Sequence, residues 1–266
     1  LDSDAFSGCS KLTGITIGKN IKEIAAYKFE GCSSLREINA SESNENYKSV
    51  DGVLFSKDMT ELLLYPLGKE GGYAIPDGVE IIGHSAFSEC KGLTSITMSD
   101  SIKIIDYWAF QGCSGLVNVI IGNGVTEIGE KAFFDCANLK SVTIPNFAVK
   151  YISAYSFGYV FDSFNVDLYN KIDDFTIYGY ADSEAEDCAL EYGFKFVDLT
   201  SQCAHANTEL KNAKTATCTE DGYSGDKYCK DCNTLIEKGT EIKALGHKFK
   251  DGKCSVCGAK DPNYKP

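Results

Sequence analysis

The chain has 266 residues, 43% of them hydrophobic, and a formal net charge of −12. It contains no run of about 18 apolar residues, which argues against membrane insertion, and its acidic surplus argues against nucleic acid as a partner. The charge is uneven, because residues 1–200 hold 29 acidic and 15 basic residues (net −14), whereas residues 201–266 hold 9 and 11 (net +2).

Residues 1–200 are organised by a repeated phrase. Residues 5–27 carry one copy, a second begins at Lys28-Phe29, and three near copies with a 23-residue period follow over residues 86–145. Each copy reads A-F-x-x-C-x-x-L-x-x-I-x-I, or a close variant, and ends in V-x-x-I, where x is any residue. Such a period predicts a solenoid, in which stacked units bury the apolar edges that one unit alone leaves exposed.

Residues 41–72 form an insert within the second copy. Two extended runs, residues 50–55 and 61–65, flank a short polar joint, and this pattern predicts a β-hairpin. The cysteine spacing indicates an enlarged unit, because Cys32 and Cys90 are 58 positions apart while Cys90 and Cys113 are 23 apart. The solenoid is therefore expected to continue through the insert.

Elementary strand geometry predicts the layout of one unit. I-x-I has the two-residue period of a strand, V-x-x-I predicts a second short strand opposite it, and A-F-x-x-C predicts a helical turn or tight bend. Parallel stacking places the repeat cysteines in one column, with neighbouring Cβ atoms too far apart for a disulfide. We expect buried, unbridged and unmetallated thiols at Cys9, Cys32, Cys90, Cys113 and Cys136.

One residue of each I-x-I strand should point outward, and this column is the candidate ligand-binding face. Its members are Thr16, Asn39, Thr97, Ile120 and Thr143. The column is mostly small and polar, with Ile120 as an exposed apolar exception. Threonine also suits strands for reasons of packing alone, so the same composition fits a strand surface without a ligand.

Residues 146–200 are expected to end the array. Over residues 175–199 the sequence predicts a strand, a helix and a strand that cap the last unit and cover its apolar edge. Ser183 with Glu186 three positions later predicts a capping box, and Gly193 suits the residue that follows a helix.

The repeat resembles the Treponema pallidum-type, BspA-like leucine-rich repeat of bacterial surface proteins. The resemblance is carried by A-F-x-x-C-x-x-L-x-x-I-x-I and V-x-x-I-G at residues 109–129, by near copies at 5–24 and 86–105, and by a longer variant unit at 47–79. It implies an α/β chain whose residues 1–200 form a right-handed leucine-rich-repeat solenoid of short parallel strands. It also implies adhesion or binding, and it brings no catalytic site.

Residues 201–266 have a different composition and form a predicted Cys/His-rich, zinc-ribbon-like domain. Large apolar residues are too few to hold a domain of this size. Two C-x-x-C pairs are each followed by a residue that tolerates positive φ, as a zinc knuckle requires. The candidate ligands are Cys203, His205, Cys218, Cys229, Cys232, His247, Cys254 and Cys257. Structural zinc, about two ions, is the preferred interpretation; disulfides and a redox C-x-x-C pair are the alternatives.

The eight ligands divide into two sets in more than one way. Loop closure favours neighbours in sequence, which predicts one site from Cys218, Cys229, Cys232 and His247 and leaves the remaining four for the other. An interleaved division also satisfies the spacing, with Cys203 and His205 joining Cys229 and Cys232. The pattern A-T-C-T-x-x-G at residues 216–222, followed by C-x-x-C and G-H, resembles cysteine-rich modules attached to surface proteins of gut-type anaerobic bacteria.

The sequence predicts a binding protein and no enzyme, because it contains no nucleophile, phosphate-binding or paired-carboxylate motif. We expect a secreted or surface-displayed bacterial protein that recognises a protein or a cell-surface polymer. One alternative is a structural spacer that presents another module. The other is a hydrolase that uses a zinc ion bound by residues 201–266. The hydrolase is disfavoured because four protein ligands per ion leave no open coordination position. The chain begins inside a repeat without a signal peptide, so position 1 is expected to be a processed or truncated boundary.

Overall fold

The computed structural model describes residues 5–162, 165 and 168–264. The chain divides into two compact units, Leu1–Ser201 and Gln202–Pro266. We name them the solenoid unit and the Cys/His module. Within the described residues, no helix has the length and apolar character needed to cross a membrane.

The solenoid unit consists of short strands joined by turns, with a 3-10 helix at Ala26–Phe29 in the second repeat. Its remaining elements are β1 (Gly14–Ile17), β2 (Glu37–Ala40), β3 (Tyr47–Val50), β4 (Val53–Ser56), β5 (Glu61–Leu64), β6 (Gly71–Ala74), β7 (Ile81–Ile82), β8 (Leu93–Thr97), β9 (Ile104–Ile105), β10 (Asn118–Ile120), β11 (Glu127–Ile128), β12 (Ser141–Thr143), β13 (Tyr151–Ile152), β14 (Tyr159–Phe161), β15 (Tyr169–Lys171), β16 (Thr176–Gly179), α1 (Glu184–Tyr192) and β17 (Lys195–Asp198).

The predicted parallel stacking of units is confirmed. The V-x-x-I strands β7, β9, β11 and β13 form the parallel part of a seven-stranded sheet. Their last residues lie opposite one another in a single column, which runs through Ile82, Ile105, Ile128 and Ile152. The I-x-I strands pair in parallel as β1-β2, β6-β8 and β10-β12-β16-β17. A register fixed by the repeat keeps every aliphatic column inside.

The insert contains three antiparallel strands rather than the two of a single hairpin. The predicted run over residues 50–55 is divided at Asp51-Gly52, whose φ angles of 50° and 75° close a tight turn between β3 and β4. β4 then pairs with β5 through a β-bulge. β5 pairs in parallel with β7, so the insert adds strands at one sheet edge while the solenoid continues.

Stacked aromatic rings form a ladder through the core. Consecutive ring centroids lie 4.9, 4.7, 4.7 and 5.1 Å apart along Tyr65, Phe87, Phe110, Phe133 and Phe157. Two members were not predicted as repeat positions. Tyr65 and Phe157 stand at the Phe position of the phrase, but they follow Leu64 and Ser156 instead of alanine. Phe157 thus adds a repeat position within residues 146–200, the region in which the array is expected to end.

The repeat cysteines form a second ladder that links each unit to the one before it. The thiols of Cys32, Cys113 and Cys136 donate to the carbonyl oxygens of Phe6, Phe87 and Phe110 over 3.1, 3.0 and 3.1 Å. Cys90 reaches Tyr65 O at 3.8 Å. These four thiols are buried and unbridged, as predicted. Cys9 is unbridged as well, but it is exposed, so the predicted burial is wrong for this residue.

The end of the solenoid unit is a strand, a helix and a strand. β16 pairs in parallel with both β12 and β17, and α1 lies between β16 and β17 along the chain. The predicted capping box is not formed. The Ser183 hydroxyl donates to Tyr180 O, and Glu186 accepts the N–H of Asp182 at 2.8 Å instead of that of Ser183. Gly193 follows the helix at φ 65°, as predicted.

The Cys/His module is a set of short antiparallel strands. They are β18 (Thr208–Lys211), β19 (Gly222–Tyr223), β20 (Asp226–Cys229), β21 (Leu235–Glu237), β22 (Glu241–Ile242), β23 (Phe249–Lys250) and β24 (Lys253–Cys254). β20 lies between β18 and β21, and β19 pairs with β22. Most large apolar side chains are exposed, among them Leu210 at 63% and Val256 at 58%. The module therefore lacks an apolar core of ordinary size.

Candidate functional site

The predicted binding column lies on the outer face of the I-x-I strands. Thr16 is opposite Asn39 in the β1-β2 pair, and Ile120 is opposite Thr143 in the β10-β12 pair. Thr97 lies on β8, opposite Ala74 of the insert unit. The side chains of Thr16, Asn39, Thr97 and Ile120 are exposed, and Thr143 is half-buried. Ile120 is 64% exposed, which is unusual for an aliphatic residue in a strand.

The structure extends this column with residues that the sequence did not predict. Thr143 lies opposite Tyr178 of β16, so an aromatic side chain continues the row after Ile120. A second outward row runs beside it, where the Ser141 hydroxyl donates to Asn118 Oδ1 at 2.8 Å. The I-x-I motif identified one outward position per strand, while strand alternation supplies a second one two residues earlier. The column and Asn118, Ser141 and Tyr178 are together named the strand face.

The eight Cys and His side chains of the module gather into two groups. Group 1 is Cys203, His205, Cys229 and Cys232, and group 2 is Cys218, His247, Cys254 and Cys257. Within each group the potential ligand atoms all lie within 4.8 Å of one another. Each group thus offers three sulfur atoms and one imidazole nitrogen, a typical donor set for zinc.

This grouping is the interleaved division and not the sequential one. The sequential set of Cys218, Cys229, Cys232 and His247 is split between the groups. Strand pairing explains this grouping. Thr208 lies opposite Cys229 in the β18-β20 pair, so the segment before β18, which contains Cys203 and His205, lies beside the end of β20. Loop closure costs grow only with the logarithm of loop length, so the sheet decides which ligands meet.

The distances inside the groups match the edges of a tetrahedral zinc site. Zn–S bonds of about 2.3 Å imply S···S separations of about 3.8 Å, whereas a disulfide bond is about 2.05 Å long. The observed separations are 3.5 Å for Cys203–Cys229 and 3.8 Å for Cys218–Cys254. The His Nδ1···Sγ separations are 3.2 Å for His205–Cys232 and 3.3 Å for His247–Cys257.

The turn after each C-x-x-C pair has the predicted backbone. Asn233 has φ 52° and Gly258 has φ 73°, which turns N–H groups towards the sulfur atoms. The backbone N–H groups of Cys257 and Val256 hold the pKa of Cys254 at about 5. Burial raises the pKa of Cys232, whereas hydrogen bonding to Thr234 lowers it. The net result is a pKa below the ordinary value of a thiol. Thiolates are the form that binds metal.

The solenoid cysteines have the opposite character. Burial raises the pKa of Cys113 well above its ordinary value, and it raises the pKa of Cys90 and Cys136 as well. Each of these thiols contacts a backbone carbonyl of the preceding unit. They are packing groups, and their surroundings disfavour the thiolate that metal binding or nucleophilic chemistry requires.

The comparisons with known proteins agree with the repeat architecture. Residues 1–61 and 72–186 match the family described as BspA type Leucine rich repeat region, in six copies. A search of curated proteins found no match.

Similar solved structures are bacterial. A leucine-rich repeat protein from Eubacterium ventriosum is 30% identical with a TM-score of 0.45, over 49% of this chain and 35% of that protein. The pneumococcal vaccine antigen PcpA is 26% identical with a TM-score of 0.47, over 70% and 56%. A leucine rich cell surface protein from Faecalibacterium prausnitzii is 27% identical with a TM-score of 0.47, over 63% and 41%.

The match spans well under two thirds of the length of each of these three proteins, between 35% and 56%. The family match covers about two thirds of this chain and includes both the regular units and most of the insert. On the strength of that match and of the stacked units described above, the chain belongs to the BspA-type leucine-rich repeat family.

Proposed function

We propose that the solenoid unit is a binding or adhesion module that recognises a macromolecule, either a protein or a cell-surface polymer, through the strand face. The observation that carries this proposal is the outward row formed by the exposed Ile120 and the half-buried Thr143 and Tyr178, which is held in strict register by β10, β12 and β16. A solenoid offers a long regular surface, and exposed apolar and aromatic side chains on such a surface mark interaction sites.

Family membership supports a location at the surface of a bacterium or outside it, because BspA-type repeats are typical of bacterial surface proteins. The acidic solenoid unit and the absence of basic clusters in its sequence do not suit nucleic acid. The spacer alternative requires only a rigid array, so a demonstrated ligand separates the two. A hydrolytic zinc site is disfavoured, because each Cys/His group supplies four ligands and leaves no position for a water molecule.

The experiment is a binding screen of the full chain against matrix proteins and bacterial surface polymers, followed by substitution of the strand face. Thr97→Arg combined with Thr143→Arg should abolish binding of any ligand found, at an unchanged melting temperature. Glu127→Arg combined with Tyr151→Arg places the same side chains at exposed positions of the opposite sheet and should leave binding intact. If the Thr97→Arg and Thr143→Arg variant retains its affinity, the binding site lies elsewhere on the chain. If the screen finds no ligand, the spacer function is favoured.

We also propose that the Cys/His module holds two structural zinc ions, one in each group. Support comes from the donor sets, from S···S separations near 3.8 Å and from the positive-φ turns after both C-x-x-C pairs. Zinc would supply the stabilisation that the missing apolar core does not. Elemental analysis of protein purified without chelator should find about two zinc ions per chain, and zero zinc together with no free thiols in the module would establish disulfides instead.

A further inference from the structure

A groove crosses the solenoid unit beside the A-F-x-x-C turns, away from the strand face. It consists of two adjoining cavities of about 560 and 130 Å³, which share Glu30, Leu67 and Glu89 in their walls. The larger part continues towards Arg36 and Lys91, and the smaller part reaches Tyr27 and Trp108. We name the smaller part the aromatic slot.

The groove exists because the insert unit departs from the repeat. The N–H of Tyr65 donates to Ala86 O just as that of Phe87 donates to Ala109 O, so Gly68 occupies the position of the repeat cysteine. A Cβ on Gly68 would lie 2.7 Å from the carbonyl carbon of Ser34. The chain of this unit therefore sits close to the preceding unit, and Leu67 forms an apolar floor between flanking turns.

The aromatic slot combines two exposed aromatic rings with two carboxylates. Tyr27 is 53% and Trp108 40% exposed, although aromatic side chains of this size usually pack inside. The lining also includes Glu30 and Glu89. Two cations lie beside it: Lys91, which pairs with Glu89, and Lys28, whose Nζ lies 6.0 Å from the centroid of the Tyr27 ring. His84 packs against Trp108 with ring centroids 5.8 Å apart and limits the positions of the indole.

The carboxylate of Glu89 is held in place from two sides. Lys91 Nζ lies 2.9 Å from its Oε2. On the other side it covers Gly112 of the next unit, where a Cβ would lie 2.3 Å from Oε1. Its side chain is 32% exposed, and this carboxylate, paired with Lys91, lines the slot.

From this arrangement we infer that the aromatic slot docks a basic side chain, arginine above all, of a protein partner. A guanidinium stacks on aromatic faces and forms paired hydrogen bonds to carboxylates, and both kinds of group line the slot. The net charge of −14 over residues 1–200 attracts a cationic segment. An uncharged saccharide would use the rings but gain nothing from the negative charge of the carboxylates.

The test uses the intrinsic fluorescence of Trp108, which is the single tryptophan of the chain. The full protein is titrated with N-acetyl-arginine amide, with its neutral citrulline counterpart and with N-acetylglucosamine. A saturable change with the arginine compound at about millimolar concentration is expected, as befits one side chain. The citrulline compound should bind at least about tenfold more weakly, because it lacks the charge.

Substitutions locate the response. Glu30→Gln with Glu89→Gln, and separately Tyr27→Ala, should each weaken binding of the arginine compound by about tenfold. Glu127→Gln and Tyr151→Ala remove a carboxylate and an exposed ring on the opposite sheet and should change nothing. Equal responses to arginine and citrulline, a response to the sugar alone, no saturable response, or equal losses in the control variants would each overturn the inference. The strand-face variants Thr97→Arg and Thr143→Arg should leave this response unchanged, so the two proposals fail separately.

Discussion

The solenoid unit and the Cys/His module stabilise their folds in opposite ways. In the solenoid unit, leucine, isoleucine, valine and phenylalanine columns are almost completely buried, and each unit repeats the contacts of its neighbours. In the described part of the module, the buried hydrophobic side chains are Ala216 and four cysteines, while large aliphatic residues lie on the surface. Many equivalent contacts hold the first unit, whereas the buried hydrophobic side chains of the second are mainly cysteines of the two Cys/His groups.

Zinc removal is the strongest way to separate the two units. Structural zinc contributes on the order of 10–16 kcal/mol per ion in small domains. A strong chelator should therefore unfold the Cys/His module and leave the solenoid unit folded. Hydrogen exchange should show loss of amide protection in β18–β22 with retained protection in β7, β9 and β11. Retained protection in the module after its zinc is gone would contradict the proposal.

Removal of one ligand should affect one group only. Cys203→Ser should make Cys229 and Cys232 reactive towards an alkylating agent while Cys254 and Cys257 stay protected, because a three-ligand site binds zinc more weakly. The matched variant Cys218→Ser should give the reverse pattern. Mass spectrometry of the labelled peptides reads out both. Reactivity of Cys254 in the first variant would restore the sequential division.

The solenoid unit should respond to loss of a core ring by a partial loss of stability. Phe110→Ala removes a ring stacked on both sides at 4.7 Å and should lower the free energy of unfolding by about 3–5 kcal/mol. Phe161→Ala, at a ring that is 38% exposed, should cost less than about 1 kcal/mol. Denaturant melts of the zinc-loaded protein, followed by circular dichroism, test the difference. Equal costs would show that the ladder contributes no more than a surface contact.

The buried thiols should make the solenoid unit sensitive to alkaline pH. Burial raises the pKa of Cys113 above its ordinary value of 9.0, so the neutral thiol stabilises the folded state fully below about pH 9. Above that pH the unfolded chain releases the proton and stability falls, by up to about 1.4 kcal/mol per pH unit for each such thiol. Cys113→Ala should reduce the slope of stability against pH between 9 and 10, as measured by denaturant melts at a series of pH values.

The sequence predicted what the repeat itself determines. Strand period and unit length fixed which aliphatic residues are buried, so the column through Ile105 and Ile128 was predictable from the pattern alone. Tyr65 and Phe157 were not predicted because neither is followed three residues later by the repeat cysteine, as Phe29 is, although the backbone places both at repeat positions. The third strand of the insert was missed because Asp51-Gly52 was read as part of one extended run.

The site residues were predictable to different degrees. Cys and His identity and the C-x-x-C spacing identified all eight candidate ligands, but their division depends on which strands pair, and local spacing does not carry that information. Tyr178 of the strand face lies in a unit without the repeat phrase. The aromatic slot joins Tyr27 and Trp108, which both stand at the last position of their copies of the phrase. The phrase does not reveal that the units between them leave a slot at this position.

The hydrogen bond from each repeat thiol to the preceding unit has an evolutionary consequence. The cysteine thiol that donates and the Phe carbonyl that accepts both belong to the phrase, so a duplicated unit contains the donor and the acceptor. Tyr65 provides the acceptor carbonyl for Cys90 even though its unit lacks Ala-Phe and carries an insert. Gene duplication can thus lengthen such an array, and insertion can decorate it, without compensating changes in the neighbouring units.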